Sequence, residues 1–135
     1  MMSKDRWSGH PARQGRPPAP LLLLSIDDIG YGYQVDIVRD FTRAAVQVHL
    51  MHHACEGDVH GAALIEELAR HGYRLSPGTI YPMLHRLEAA GLLVSRQVLV
   101  DGRRRRMYRA SPKGRKAFAA CRRAIRELAG EVLGQ

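Results

Sequence analysis

Apolar residues fall into a regular beat from Phe41 onward. Phe41, Ala44, Val48, Met51 and Cys55 recur at steps of 3, 4, 3 and 4, a spacing that lines side chains along one face of an α-helix. Asp40 is the expected N-cap, with the helix running to about Ala54. Asp58 is expected to cap a second helix, with Val59, Ala62, Ile65 and Ala69 turned inward and Glu66 outward. Arg70-His71-Gly72 should end it, glycine being the usual stop. A third helix opens at Ser76 as cap and Pro77 as first helical residue. Ile80, Leu84 and Leu87 face inward there, and Gly91 ends the run.

The pattern then turns extended. Leu93 to Val100 reads as a strand, Asp101-Gly102 as a two-residue hairpin turn, and Arg103 to Ala110 as the returning strand. Ser111-Pro112 opens a last helix, where Phe118, Cys121, Ile125, Leu128 and Val132 again step by 3, 4, 3 and 4. The expected fold is mainly α with a small β-hairpin: a winged helix-turn-helix followed by a C-terminal dimerisation helix. This divides the chain into an extension over residues 1–40, a DNA-binding domain over 41–112 and the dimerisation helix over 113–135. Residues 1–20 hold four of the seven prolines and are expected to be disordered. Residues 21–40 are compatible with a short element loosely docked on the domain or with an extension of little structural role.

Composition narrows the function. The chain has 135 residues, 45% of them apolar, enough for one domain with a core. Its net charge of +8 is unevenly spread. Arg96 to Arg126 carries 12 basic residues against one acid, Asp101, and most of the bases are arginines suited to bidentate phosphate and guanine contacts. A polyanionic partner is the expectation. The two cysteines, Cys55 and Cys121, make no disulfide framework, which points to a reduced cytoplasmic setting alongside the nucleoid. The apolar run Leu21–Leu24 is too short to span a bilayer and lacks a small-residue cleavage site, so no membrane partner is expected. No nucleophile–base–orienter set, glycine-rich phosphate loop or paired carboxylates appear. An enzyme is therefore not expected, nor a cofactor.

A helix N-terminus beside a cationic hairpin is suited to grip duplex DNA at two points. Ser76, Pro77, Gly78, Thr79 and Tyr81 form the first turn of the third helix, where the dipole and backbone amides suit a phosphate. Arg86 is a further groove or phosphate contact, while His85 reads as a surface residue. Pro82 inside the same helix forfeits a hydrogen bond to the Gly78 carbonyl and is expected to kink the helix and so shape the surface. Arg103 to Arg106 alternate in direction along the returning strand, so only alternate ones share a face. Arg103 and Arg105 are the favoured pair because a tip position reaches furthest. The apolar stripe Phe118, Cys121, Ile125, Leu128 and Val132 is expected to pair with a second subunit, or to fold back on the first helix, or both. His49, His52, His53, His60 and His71 cluster in sequence near Cys55. An alternative reading is a metal- or redox-sensing regulator using His49, His52, His53 and Cys55, although no fixed ligand spacing marks a metal site.

Residues 57–111 resemble the PadR family of bacterial transcriptional regulators, through GAAL, then SPGTIYPMLHRLEAAGLL, then DGRRRRMYRASPKG. Ser76, the run Gly78 to Pro82, Leu87-Glu88 and Gly91-Leu92 stand where the family motif has them. The resemblance implies a homodimeric winged-helix protein, usually a repressor, released from an inverted-repeat operator by a small molecule or another signal. One short C-terminal helix implies the compact branch of the family. The last helix carries no tryptophan, and the N-terminal extension lies outside the pattern.

Overall fold

The computed structural model describes residues 35–134. The expected extension therefore lies outside the described residues up to position 34. Its last residues belong to the domain, because helix α1 (Ile37–Glu56) begins one turn before the expected start. The N-cap is Asp36 rather than Asp40: its side chain accepts the Arg39 N–H at 3.1 Å, and the Arg39 guanidinium closes onto the same carboxylate at 3.2 Å. Asp40 sits within the first turn, where a negative charge also suits the helix dipole.

The core face of α1 differs from the expected stripe. Thr42, Val46, Leu50, Met51 and Ala54 are buried, and only Met51 belongs to both sets. Thr42 tolerates complete burial because its hydroxyl donates to the Val38 carbonyl at 2.7 Å. Phe41 and Ala44 are exposed and Val48 half-buried. They form a second apolar face, turned toward the last helix.

Helix α2 (Gly61–Arg70) is capped by His60, whose Nδ1 accepts the Ala63 N–H at 3.2 Å. Asp58, the expected cap, pairs instead with Arg96. Leu64 and Leu68 take the fully buried positions, Ala62 and Ile65 are half-buried, and Ala69 is exposed, so the helix is rotated from the expected setting. Val59 lies before the helix and bridges Tyr108 through backbone bonds of 2.8 and 2.7 Å. Glu66 faces solvent as expected.

Helix α3 (Pro77–Ala89) starts at its expected Ser76 cap and Pro77 first residue. Strands β1 (Leu93–Val100) and β2 (Arg103–Ala110) pair antiparallel, Leu93 opposite Ala110 and Val100 opposite Arg103. Asp101 and Gly102 join them with φ of 51° and 76°, the pair of left-handed residues that a tight hairpin turn needs. Helix α4 (Pro112–Leu133) is capped by Ser111, whose Oγ accepts the Gly114 N–H at 3.0 Å while donating to the Gly91 carbonyl. One contact thus ties the start of α4 to the end of α3.

Leu50, Leu64, Leu68, Ile80, Leu84, Leu93 and Tyr108 meet in one core, each no more than 2% exposed. Each aliphatic side chain so buried stabilises the fold by about 1.5–3 kcal/mol before its entropy is counted. Every element except the outer hairpin and the end of α4 contributes to this core. Those two parts project from it.

Candidate nucleic-acid interface

The first turn of α3 is presented to solvent. Pro77, Gly78, Tyr81 and Pro82 are exposed, and Ser76 and Thr79 half-buried. Ser76 caps through its backbone: its carbonyl accepts from Thr79 N–H at 3.0 Å and Ile80 N–H at 3.1 Å. Its Oγ lies 3.3 Å from the Thr79 hydroxyl. Pro77 brings no N–H and that of Thr79 turns back on Ser76, so this helix start offers a phosphate fewer amides than expected from sequence. What this turn presents to solvent is mainly its side chains and the positive end of the helix dipole. Arg86 and His85 are exposed further along α3.

Pro82 lies inside one continuous helix with its ring in solvent. It leaves the Gly78 carbonyl, on the same exposed turn, without its usual donor. Tyr81 is only 37% exposed because its ring lies over Gly61, the first residue of α2. Gly61 gave no signal of this role in sequence. It lets the ring approach the backbone, so the tyrosine is held as well as displayed.

Two polar links orient the hairpin. Arg96 of β1 pairs with Asp58, in the α1–α2 connection. On the other face, Arg106 donates to Ser95 Oγ at 3.0 Å, and Ser95 donates to the Glu88 carboxylate of α3. The register sets Gln97, Leu99, Arg104 and Arg106 on the face of Ser95 and Tyr108, and Val98, Val100, Arg103 and Arg105 on the opposite face. Arg103 and Arg105 share one face, as expected, but it is turned away from α3.

The expected dimerisation stripe divides in two. Phe118 and Cys121 are half-buried, Phe118 packing against the core. Ile125, Leu128 and Val132 stay 49%, 48% and 67% exposed, which leaves the end of α4 uncovered. With Ile37, Val38 and Phe41 of α1 they line an almost wholly apolar cleft of about 630 Å³. A second hollow of about 450 Å³ continues along Ala44, Val48, His52 and Phe118.

The histidines do come together. The rings of His49 and His71 lie 4.9 Å apart, and those of His52 and His53 5.0 Å. Burial and the neighbouring imidazoles hold His49 below its ordinary pKa. Among the described residues, the donors within 4.8 Å of one another are those of His52, His53 and Glu56, a set that includes neither His49 nor Cys55. Burial pushes the Cys55 thiol up, the wrong direction for a reactive thiolate.

A three-helix unit with a two-strand cationic hairpin and an exposed helix start defines the winged helix-turn-helix class of DNA-binding proteins. Residues 50–120 match the sequence model of the transcriptional regulator PadR-like family. The chain is 65% identical over 97 residues to the transcriptional regulator Rv3488 of Mycobacterium tuberculosis, covering 72% of this chain and 91% of that protein. A PadR family transcriptional regulator from Eggerthella lenta superposes with a TM-score of 0.62 at 27% identity, covering 71% of this chain and 85% of that one. A PadR-like transcription factor from Bacteroides fragilis shares the fold at a TM-score of 0.62 and 24% identity, over 73% and 98% of the two chains. The chain belongs to the PadR-like family of transcriptional regulators, and is a regulator rather than an enzyme. Among the described residues no helix is long and apolar enough to cross a membrane.

Proposed function

We propose that the chain is a homodimeric repressor that binds an inverted-repeat operator and is released by a small-molecule effector. The exposed apolar face shared by α1 and α4 carries the dimeric part of this reading. Ile125, Leu128 and Val132 would remain wetted in a lone protomer, and a second copy related by two-fold symmetry covers them with the same residues of its own. Two copies also provide two reading helices, which fit half-sites about 34 Å apart, one helical turn of DNA.

On each half-site the first turn of α3 enters the major groove, with Ser76, Pro77, Gly78, Thr79 and Tyr81 at the DNA and Arg86 on a flanking phosphate or base. The wing, through arginines of β2, meets the flanking duplex. The two hollows along α1 and α4 have the volume of small-ligand sites and an apolar lining, which supports an apolar effector acting where the subunits meet.

Footprinting on duplexes selected from the source genome tests the reading. Two protected patches one turn apart, bound by a species of twice the chain mass, are the expected result. A single patch bound by a monomer overturns the dimer.

A further inference from the structure

We propose that the wing meets DNA with its α3-side face, and that Leu99 is an apolar DNA contact directly opposite Arg104, on the face it shares with Arg106. This rests on the DNA-binding reading above and deepens it.

The register carries the argument. Residues directly opposite in an antiparallel pair share a face, and faces alternate along each strand. At its base the α3-side face is core: Leu93 is 2% exposed, Ala110 5% and Tyr108 1%. One step out, Ser95 holds Glu88 of α3 and receives Arg106. Two steps further the same face carries Gln97, then Leu99 opposite Arg104. The core has ended there, so these side chains look onto the space flanking α3, where a duplex seated on that helix has its backbone and adjoining minor groove. Arg103 and Arg105, opposite Val100 and Val98, look the other way.

Leu99 is 75% exposed. Neither core nor solubility explains a leucine on the outermost part of a strand opposite an arginine. Surrounding charge favours a polyanion over an apolar protein surface, since Arg104 and Arg106 share the face of Leu99 across the hairpin. Apolar side chains set among arginines suit a minor groove, where sugar edges give apolar contact while the cations take phosphates.

Salt dependence separates the two kinds of contact. A phosphate contact releases counterions and steepens the fall of affinity with salt, whereas an apolar contact does not. The probes are the tightest duplex that the full chain selects from a random pool and an unselected duplex of equal length. Arg104→Ala with Arg106→Ala should make the salt slope shallower by about 2 on both duplexes, one unit per phosphate. Arg103→Ala with Arg105→Ala should leave it near the unaltered value. Leu99→Ala should weaken the selected duplex by about tenfold with the slope unchanged. Melting temperatures of all three variants should lie near the parent's, because Leu99, Arg103, Arg104 and Arg106 are exposed and Ser95 keeps its bond to Glu88 without Arg106.

A larger slope change in the Arg103, Arg105 variant overturns the face assignment. Unaltered affinity in Leu99→Ala, or a change in its solution mass, overturns the leucine contact. These outcomes leave the DNA reading standing. A parent protein that selects no duplex removes that reading, and this one with it.

Discussion

The Tyr81 ring lies across the backbone of Gly61, so closely that a Cβ at Gly61 would sit 2.5 Å from Cε1 and 2.7 Å from Cζ. That contact joins the start of α2 to the exposed turn of α3, and it sets the position of an aromatic side chain proposed to touch DNA. Gly61→Ala should push the ring outward, because the tyrosine can swing while the α2 backbone is held by Leu64 and Leu68. Duplex binding should weaken, with a stability loss of about 1–3 kcal/mol. Tyr81→Ala removes the obstruction, so Gly61→Ala in that background should cost little. Additive effects in the double-variant cycle, read by melting and by binding, would break the link.

Gly114 makes a harder contact. A Cβ there would lie 2.0 Å from the Leu92 carbonyl oxygen and 2.9 Å from its carbon, both backbone atoms that cannot rotate away. Gly114→Ala should therefore separate α4 from the α3–β1 junction, at a cost of several kcal/mol on the scale of an overpacked core. Gly57 is the matched control. It has extended φ and nothing within 4 Å of a Cβ, so Gly57→Ala should leave the denaturation midpoint nearly unchanged. Similar losses at both positions would show that glycine flexibility, and not this close approach, decides the outcome.

The parts legible in the sequence are those with a local physical cause. Pro77 after Ser76 admits one reading at a helix start, and Asp101-Gly102 between extended runs supplies the two left-handed residues of a tight turn. The caps of α1 and α2 were less legible because candidates competed. Asp36 and Asp40 stand one turn apart and either can cap, and the His60 imidazole took the role expected of Asp58. The face of α1 was ambiguous for another reason. It carries two apolar stripes, and periodicity shows that a stripe exists without showing which one meets the core. Four identical arginines likewise alternate symmetrically, so only the register distinguishes Arg103 and Arg105 from Arg104 and Arg106.

The histidine cluster gives the fold a dependence on acidity. His49 titrates below its ordinary value, first because it is partly buried and then because His71, His53 and His52 repel its proton, with Glu67 opposing them. The folded chain then binds fewer protons at His49 than the unfolded chain does. Its contribution to stability is complete above about pH 6.5 and is lost as pH falls from there toward the depressed folded value. Urea midpoints should drop between pH 7.5 and 5.5, and His49→Gln should reduce the drop. An equal drop in that variant would assign the acid sensitivity to other groups.

The exposed end of α4 gives the most direct test of assembly. Leu128 is 48% exposed and lines the apolar cleft with Ile37, Val38 and Phe41. Leu128→Glu places a charge there that water can still reach in a lone protomer, so the folded chain should lose little stability of its own. In a dimer the same charge is buried against its two-fold copy, where repulsion adds to desolvation, several kcal/mol in all. Sedimentation should show the variant as a monomer under conditions in which the parent is a dimer. Because α3 and the wing are untouched, a monomer should still bind a single half-site weakly while losing the tight two-site complex. If Leu128→Glu remains dimeric, the subunits meet elsewhere and the cleft is free for another occupant.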